Sequence, residues 1–147
     1  MRKTFALTYG AKIEPDDDGF LVTFRDVENA FTWGASYREA LFNAQEVLDL
    51  MLLDKLETGE DIGDPTPLKR GEVPISASPD VVAPILLHKL RVSQRKTMAH
   101  VAKKMDVPYQ SYQRMETGKN NLTLKSFKKA VAAMGATIEI TLRTAET

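Results

Sequence analysis

The stretch TMAHVAKKMDVPYQSYQRMETG, Thr97 to Gly118, is where the reading of this chain begins. Thr97 is a helix-capping residue type whose hydroxyl can accept from an amide one turn later, and Val101, Ala102 and Met105 follow it at helical spacing. Asp106-Val107 breaks that helix. Pro108 opens another over Tyr109 to Thr117, because a first helical turn has no partner for the hydrogen that proline nitrogen lacks, and Gly118 ends it. Two short helices separated by a tight turn, with small Ala102 where they cross and Val107 plugging the turn, form a helix-turn-helix.

In such an arrangement the second helix enters the major groove of DNA, so Tyr109, Gln110, Ser111, Gln113 and Arg114 are the candidate recognition residues. Gln110 can present its amide to adenine, and Arg114 can pair with guanine or phosphate. Thr97, Lys103 and Lys119 belong to the same DNA-binding set, and Lys96 and Lys104 would add phosphate contacts that position the domain without reading sequence. A helical protein-interaction module with a basic face is the competing interpretation.

Working outward, Val82, Ile85, Leu86, Lys89 and Leu90 mark one face of a preceding helix, and Leu124, Phe127, Ala130, Val131 and Met134 mark a following one that stops at Gly135. The pattern then changes. Ile138, Ile140 and Leu142 alternate with Thr137, Glu139 and Thr141, which is a strand pattern. A lone strand cannot satisfy its backbone, so these three residues are expected to pair with the same strand of a second chain. The resulting homodimer would match a palindromic operator, with assembly into tetramers left open.

The first half has strand periodicity. Phe5, Leu7 and Tyr9 alternate with Thr4, Ala6 and Thr8, predicting a strand from Thr4 to about Ile13. Pro15 to Gly19 is a turn, Gly19 to Phe24 a second strand, and Ala30 to Gly34 a third. Ser36 and Glu39 make a capping box in which the glutamate reaches back to the cap, and Ala40, Leu41, Ala44, Val47, Leu48, Met51 and Leu52 give a helix with an apolar stripe, stopped at Gly59. After the loop Gly59 to Gly71, Val73 to Ser76 reads as a last strand. The expected fold class is α+β: a βββαβ domain over residues 1–78, then an all-helical helix-turn-helix domain over 79–147 ending in a dimerisation strand.

Charge divides at the same place. Residues 1–78 hold 8 Lys/Arg against 15 Asp/Glu, net −7, and residues 79–147 hold 12 against 5, net +7. A basic half suits nucleic acid, and an acidic half suits a basic partner. The chain has no cysteine, which excludes disulfides and thiolate chemistry, and His88 and His100 lack ligand-like spacing. No cofactor, metal or catalytic residue is expected. No apolar run suggests a membrane span and the N-terminus from Met1-Arg2 lacks a signal-peptide core, so the expected location is cytoplasmic.

Glu14, Asp16, Asp17, Asp18, Asp26 and Glu46 leave a nuclease open as an alternative, since two-metal hydrolysis needs converging carboxylates, but Asp16 to Asp18 favour a solvated turn. Phe31 and Trp33 could anchor a partner, although strand aromatics more often fill a core, and the core is the expectation for both.

Two resemblances extend these readings. Thr97 to Val107 and Arg114-Met115-Glu116-Thr117-Gly118-Lys119 resemble the helix-turn-helix of phage repressors. Met98 stands where that family commonly has a backbone-contacting glutamine, and Tyr112 where a smaller aliphatic residue is usual. Asp18 to Phe24, Asp26-Val27, Ala30 to Gly34 and Ser36 to Ala44, in that order, resemble the HicB antitoxin family. The resemblance implies a truncated, catalytically empty ribonuclease-H-like domain that blocks a HicA-like toxin, a small messenger-RNA-cleaving ribonuclease. It also implies that the second domain represses the shared operon. A stand-alone repressor with a ligand-sensing first domain is the alternative.

Overall fold

The structure is a computed structural model that describes residues 3–119 and 122–144; Met1 and Arg2, which begin the leader reading above, lie outside the described residues. The chain divides into two compact units, one built on Ala6–Ser78 and the other on Pro79–Leu142.

The first unit is a four-stranded antiparallel sheet with one helix. Its elements are β1 (Thr8–Asp16), β2 (Gly19–Phe24), β3 (Phe31–Gly34), α1 (Tyr37–Thr58) and β4 (Val73–Ser76), with sheet order β3-β2-β1-β4. β1 starts later and runs further than the alternation suggests. Its pairing with β4 begins at Thr8↔Ser76, where β4 ends, and its pairing with β2 continues to Asp16↔Gly19. Sheet partners, which single-strand periodicity does not see, therefore set its bounds. The turn shrinks to Asp17-Asp18, with Asp17 at φ 53, a left-handed conformation that aspartate tolerates. Pro15 falls beyond Ala11↔Val73, the last β1–β4 pair, so β1 needs hydrogen bonds there on one side only.

The registers place Tyr9, Ala11, Val22, Phe24, Gly34 and Ile75 on one sheet face, where they are buried. Ala40, Ala44, Leu48 and Leu52, four residues apart along α1, are buried as well, giving the helix its core stripe. Gly34 admits the helix. A Cβ there would fall on the backbone of Ala40, so only glycine lets the first turn of α1 come so near. Phe20 and Tyr37 meet edge to face, with ring centres 5.8 Å apart. The Ser36 hydroxyl accepts from the Glu39 amide at 3.1 Å, while the Glu39 carboxylate accepts from Ala35, one residue before the expected cap. Gly59 closes the helix at φ 77.

Between α1 and β4 the chain is pinned rather than regular. Arg25 donates to both carboxylate oxygens of Glu72, at 2.9 and 3.0 Å, and to the Pro67 carbonyl. Asp26 accepts from the Thr66 amide at 2.9 Å, and the Tyr9 hydroxyl donates to Gly63. The Arg25 bonds draw the Glu72 carboxyl down to about 2.

One expectation for this unit changes. Phe31 and Trp33 are not core: they are 63% and 42% exposed. Both alternate onto the sheet face opposite the buried one, and β3 is an edge strand. The indole of Trp33 rests on Gly19 and its nitrogen donates to the Asp16 carbonyl. The carboxylates also do not converge. Asp16 closes the hairpin, Asp26 holds the loop and Glu46 lies exposed on α1. Among the described residues no cluster of three potential metal-ligating side chains occurs.

The second unit contains α2 (Pro79–Ser93), α3 (Met98–Met105), α4 (Tyr109–Thr117) and α5 (Leu124–Ala133). In α2 the buried residues are Val81, Pro84, Ile85 and Leu87, whereas Val82 and Leu86 are only half-buried. Residues 81–87 are apolar almost without interruption, so spacing alone does not select the core face. Leu87, Val101, Ala102, Tyr112, Met115, Ala130, Val131 and Met134 form the core. No described helix is long and apolar enough to cross a membrane.

Candidate nucleic-acid interface

The helix-turn-helix is assembled by α3 and α4. Thr97 caps α3, its hydroxyl accepting from the His100 amide at 3.1 Å. Asp106 then turns left-handed at φ 59, and the Val107 amide donates to Ala102 at 3.0 Å, which reverses the chain within two residues. Val107 packs against the core, and Ala102 is buried. A larger residue at Ala102 would wedge the helices apart. Pro108, in extended backbone at ψ 150, leads directly into α4, which Gly118 ends at φ 73.

Tyr112, Met115 and Glu116 fix the inward face of α4. The opposite face is left to solvent: Gln110, Gln113, Arg114 and Thr117 are exposed, Ser111 is half-buried, and Tyr109 is 44% exposed. Gln110, Gln113, Arg114 and Thr117 recur at three- and four-residue spacing, so they point the same way. Tyr109 donates to the Met98 sulfur at 3.8 Å and lines a shallow hollow with Ala99, Lys103, Asp106, Val107 and Pro108. Met98, which replaces the repressors' usual glutamine, thus supports the aromatic ring at the start of α4. Lys103, Lys104 and Lys119 are exposed, and Lys96 is half-buried. No acidic side chain lies on the exposed face of α4; Glu116 points inward. The surface can therefore offer amides, a guanidinium and ammonium groups to a polyanion without a carboxylate on the same face of α4.

Glu116 is the residue whose importance the sequence did not disclose. It is 2% exposed, the sole buried charged residue among those described. Arg91 from α2 grips it with two bonds, Nε to Oε2 at 2.9 Å and Nη2 to Oε1 at 2.7 Å, and His88 Nδ1 lies 2.7 Å from Oε1. Burial opposes ionisation, but the bonds from Arg91 and His88 help outweigh it and hold the carboxyl below its ordinary value. Arg91 also donates to the Lys96 carbonyl, just before the cap of α3. One guanidinium thus ties α2, α4 and the segment before α3 together. The available signal was His88 and Arg91, three residues apart on a helix whose sole acidic residue, Asp80, lies two turns earlier and so offers neither of them a carboxylate. The fully buried Tyr112 fills the space beside this pair, and burial pushes its phenol well up.

Of the three C-terminal residues, Ile138 packs against the core, while Ile140 and Leu142 are 70% and 93% exposed. Residues 136–144 take no regular structure and pair with no strand among the described residues.

The family model described as HicB_like antitoxin of bacterial toxin-antitoxin system matches residues 8–82, and a helix-turn-helix model matches residues 87–140. Antitoxin HicB 2 of Photorhabdus laumondii subsp. laumondii is 28% identical over 134 residues, covering 91% of this chain and 95% of that protein. The sheet-and-helix unit, matched over half of the chain, and the helix-turn-helix that follows it place this protein in the HicB-like antitoxin family.

Proposed function

We propose that the protein neutralises a HicA-like, messenger-RNA-cleaving toxin through residues 1–78, a truncated ribonuclease-H-like domain, and represses its own operon through residues 79–147 bound to operator DNA. Neutralisation is steric: the acidic domain covers the basic, RNA-binding surface of the toxin and long-range attraction speeds the encounter. No catalysis by this chain and no cofactor is required. Operator binding uses Tyr109, Gln110, Ser111, Gln113 and Arg114 toward bases, with Thr97, Lys103 and Lys119 along the backbone. Two copies act together, joined through Ile138, Ile140 and Leu142, so that paired recognition helices match the half-sites of a palindrome. The protein works in the cytoplasm, where the operator and the messenger are.

The observation that carries the reading is the exposed, carboxylate-free stripe of α4 held by the Arg91–Glu116 pair, in a family of antitoxins. The test is twofold. The gene beside this one should encode a small basic protein whose expression alone stops growth and whose co-expression with this chain does not. The purified chain should also retard DNA from upstream of its own gene far more than random DNA. Growth arrest unrelieved by this chain, or equal retardation of both DNAs, would refute the corresponding half.

A further inference from the structure

Helix α1 carries a second stripe that its own fold, apart from the capping carboxylate of Glu39, does not use. Glu39, Phe42, Glu46, Leu50, Leu53 and Glu57 recur at spacings of three and four and are all exposed, with Phe42 62%, Leu50 66% and Leu53 42% accessible. At about 100° per residue they fall within an arc of about 80°, centred opposite the buried stripe Ala40, Ala44, Leu48 and Leu52. Solvent-facing helix surfaces are usually polar all along, so three large apolar side chains on this arc are unspent binding surface. The arc also has one sign of charge: its polar members are three glutamates, and neither Arg38 nor Lys55 falls on it.

We infer that this outer face of α1 is the docking surface for the basic toxin, with Phe42, Leu50 and Leu53 as the anchors and Glu46 and Glu57 as the rim. The inference rests on the functional reading above and names the surface that does the work. Charge selects the occupant. A second copy laid against the same face would bring three carboxylates from each chain into one interface, and an anionic lipid surface would be repelled. A basic protein meets apolar anchors and countercharge together, the arrangement in which aromatic and aliphatic centres supply affinity while rim charges supply encounter rate. The stripe from Phe42 to Leu53 spans about 17 Å at about 1.5 Å per residue, a length suited to a groove or a sheet face of a small partner.

The experiment co-expresses the adjacent-gene basic protein with this chain and measures affinity and association rate of the purified complex. Phe42→Ser, Leu50→Ser and Leu53→Ser together should weaken the complex by at least about tenfold, with helical content, melting and operator binding unchanged. Glu46→Lys with Glu57→Lys should slow association and flatten its salt dependence. Phe31→Ser with Trp33→Ser, on the open sheet face, should leave affinity as it is. If the α1 variant binds like the parent, the inference fails; loss with the sheet variant instead would move the surface there and leave the functional reading standing. A parent chain that binds no such protein overturns both. A change in self-association alone, with toxin binding intact, would show a contact between copies and also refute the proposal.

Discussion

Arg91 on α2 and Glu116 on α4 lie 25 residues apart in sequence and form a two-pronged ion pair, with N–O distances of 2.9 and 2.7 Å around a carboxylate that is 2% exposed. Their pairing ties α4 to α2, because Glu116 lies on the buried face of α4, opposite the exposed stripe, and Arg91 supplies most of its hydrogen bonds.

Arg91→Ala should therefore destabilise the helical unit by about 3 kcal/mol, the cost of leaving a buried carboxylate without its main partner. His88 offers Glu116 one remaining contact. The combined change Arg91→Met with Glu116→Leu should cost less than Arg91→Ala alone. Urea unfolding followed by helical circular dichroism checks both, and a larger loss in the combined variant would mean that the charges are net stabilising.

Acid should weaken both units. Glu116 and Glu72 have folded values held below their ordinary value near 4.5, so the unfolded chain takes up protons first as pH falls. Their contribution is complete above about pH 5 and is lost as pH drops through the folded values, for Glu72 down to about 2. Urea midpoints between pH 7 and pH 2.5 should fall, with Trp33, the sole tryptophan, reporting on the sheet unit. Glu72→Gln should blunt the fall there.

On the exposed face of α4, Gln110→Ala and Arg114→Ala should each cost about 1–3 kcal/mol on operator DNA with little effect on random sequence. Lys103→Ala should weaken both DNAs alike and lower the salt slope by about one. Fluorescence anisotropy at several salt concentrations separates the two classes, and equal losses for all three variants would remove the base-reading assignment.

Ile140→Ser with Leu142→Ser should give a folded monomer with weaker operator binding, since both side chains are exposed in the single chain and only a partner would cover them. Ile138 is left alone because it packs against the core. Sedimentation velocity decides, and an unchanged dimer would refute strand pairing.

Gly34→Ala should unseat α1 from the sheet at a cost of about 1–3 kcal/mol, because the new Cβ would fall on the Ala40 backbone, which cannot swing aside as a side chain could. Thermal melting measures it, and an unchanged midpoint would show that the helix shifts freely.

The sequence by itself determined the elements whose signals are local. The caps at Ser36 and Thr97, the stops at Gly59 and Gly118, and the second and fourth strands are written in residues within a turn of one another, where capping and turn chemistry act. The exposure of Gln110, Gln113 and Arg114 on α4 was equally legible, because solvent is the default for Gln and Arg. Only the tertiary structure decided what needed a distant partner. The start of β1 depended on where β4 ends, the core face of α2 on which side of its apolar run 81–87 was covered, and the exposure of Phe31 and Trp33 on which sheet face α1 left open. Glu116 shows the limit best: a glutamate in a polar stretch reads as surface until Arg91 and His88, 25 and 28 residues away, make its burial affordable. Side-chain periodicity encodes which residues share a face, but not what lies against that face.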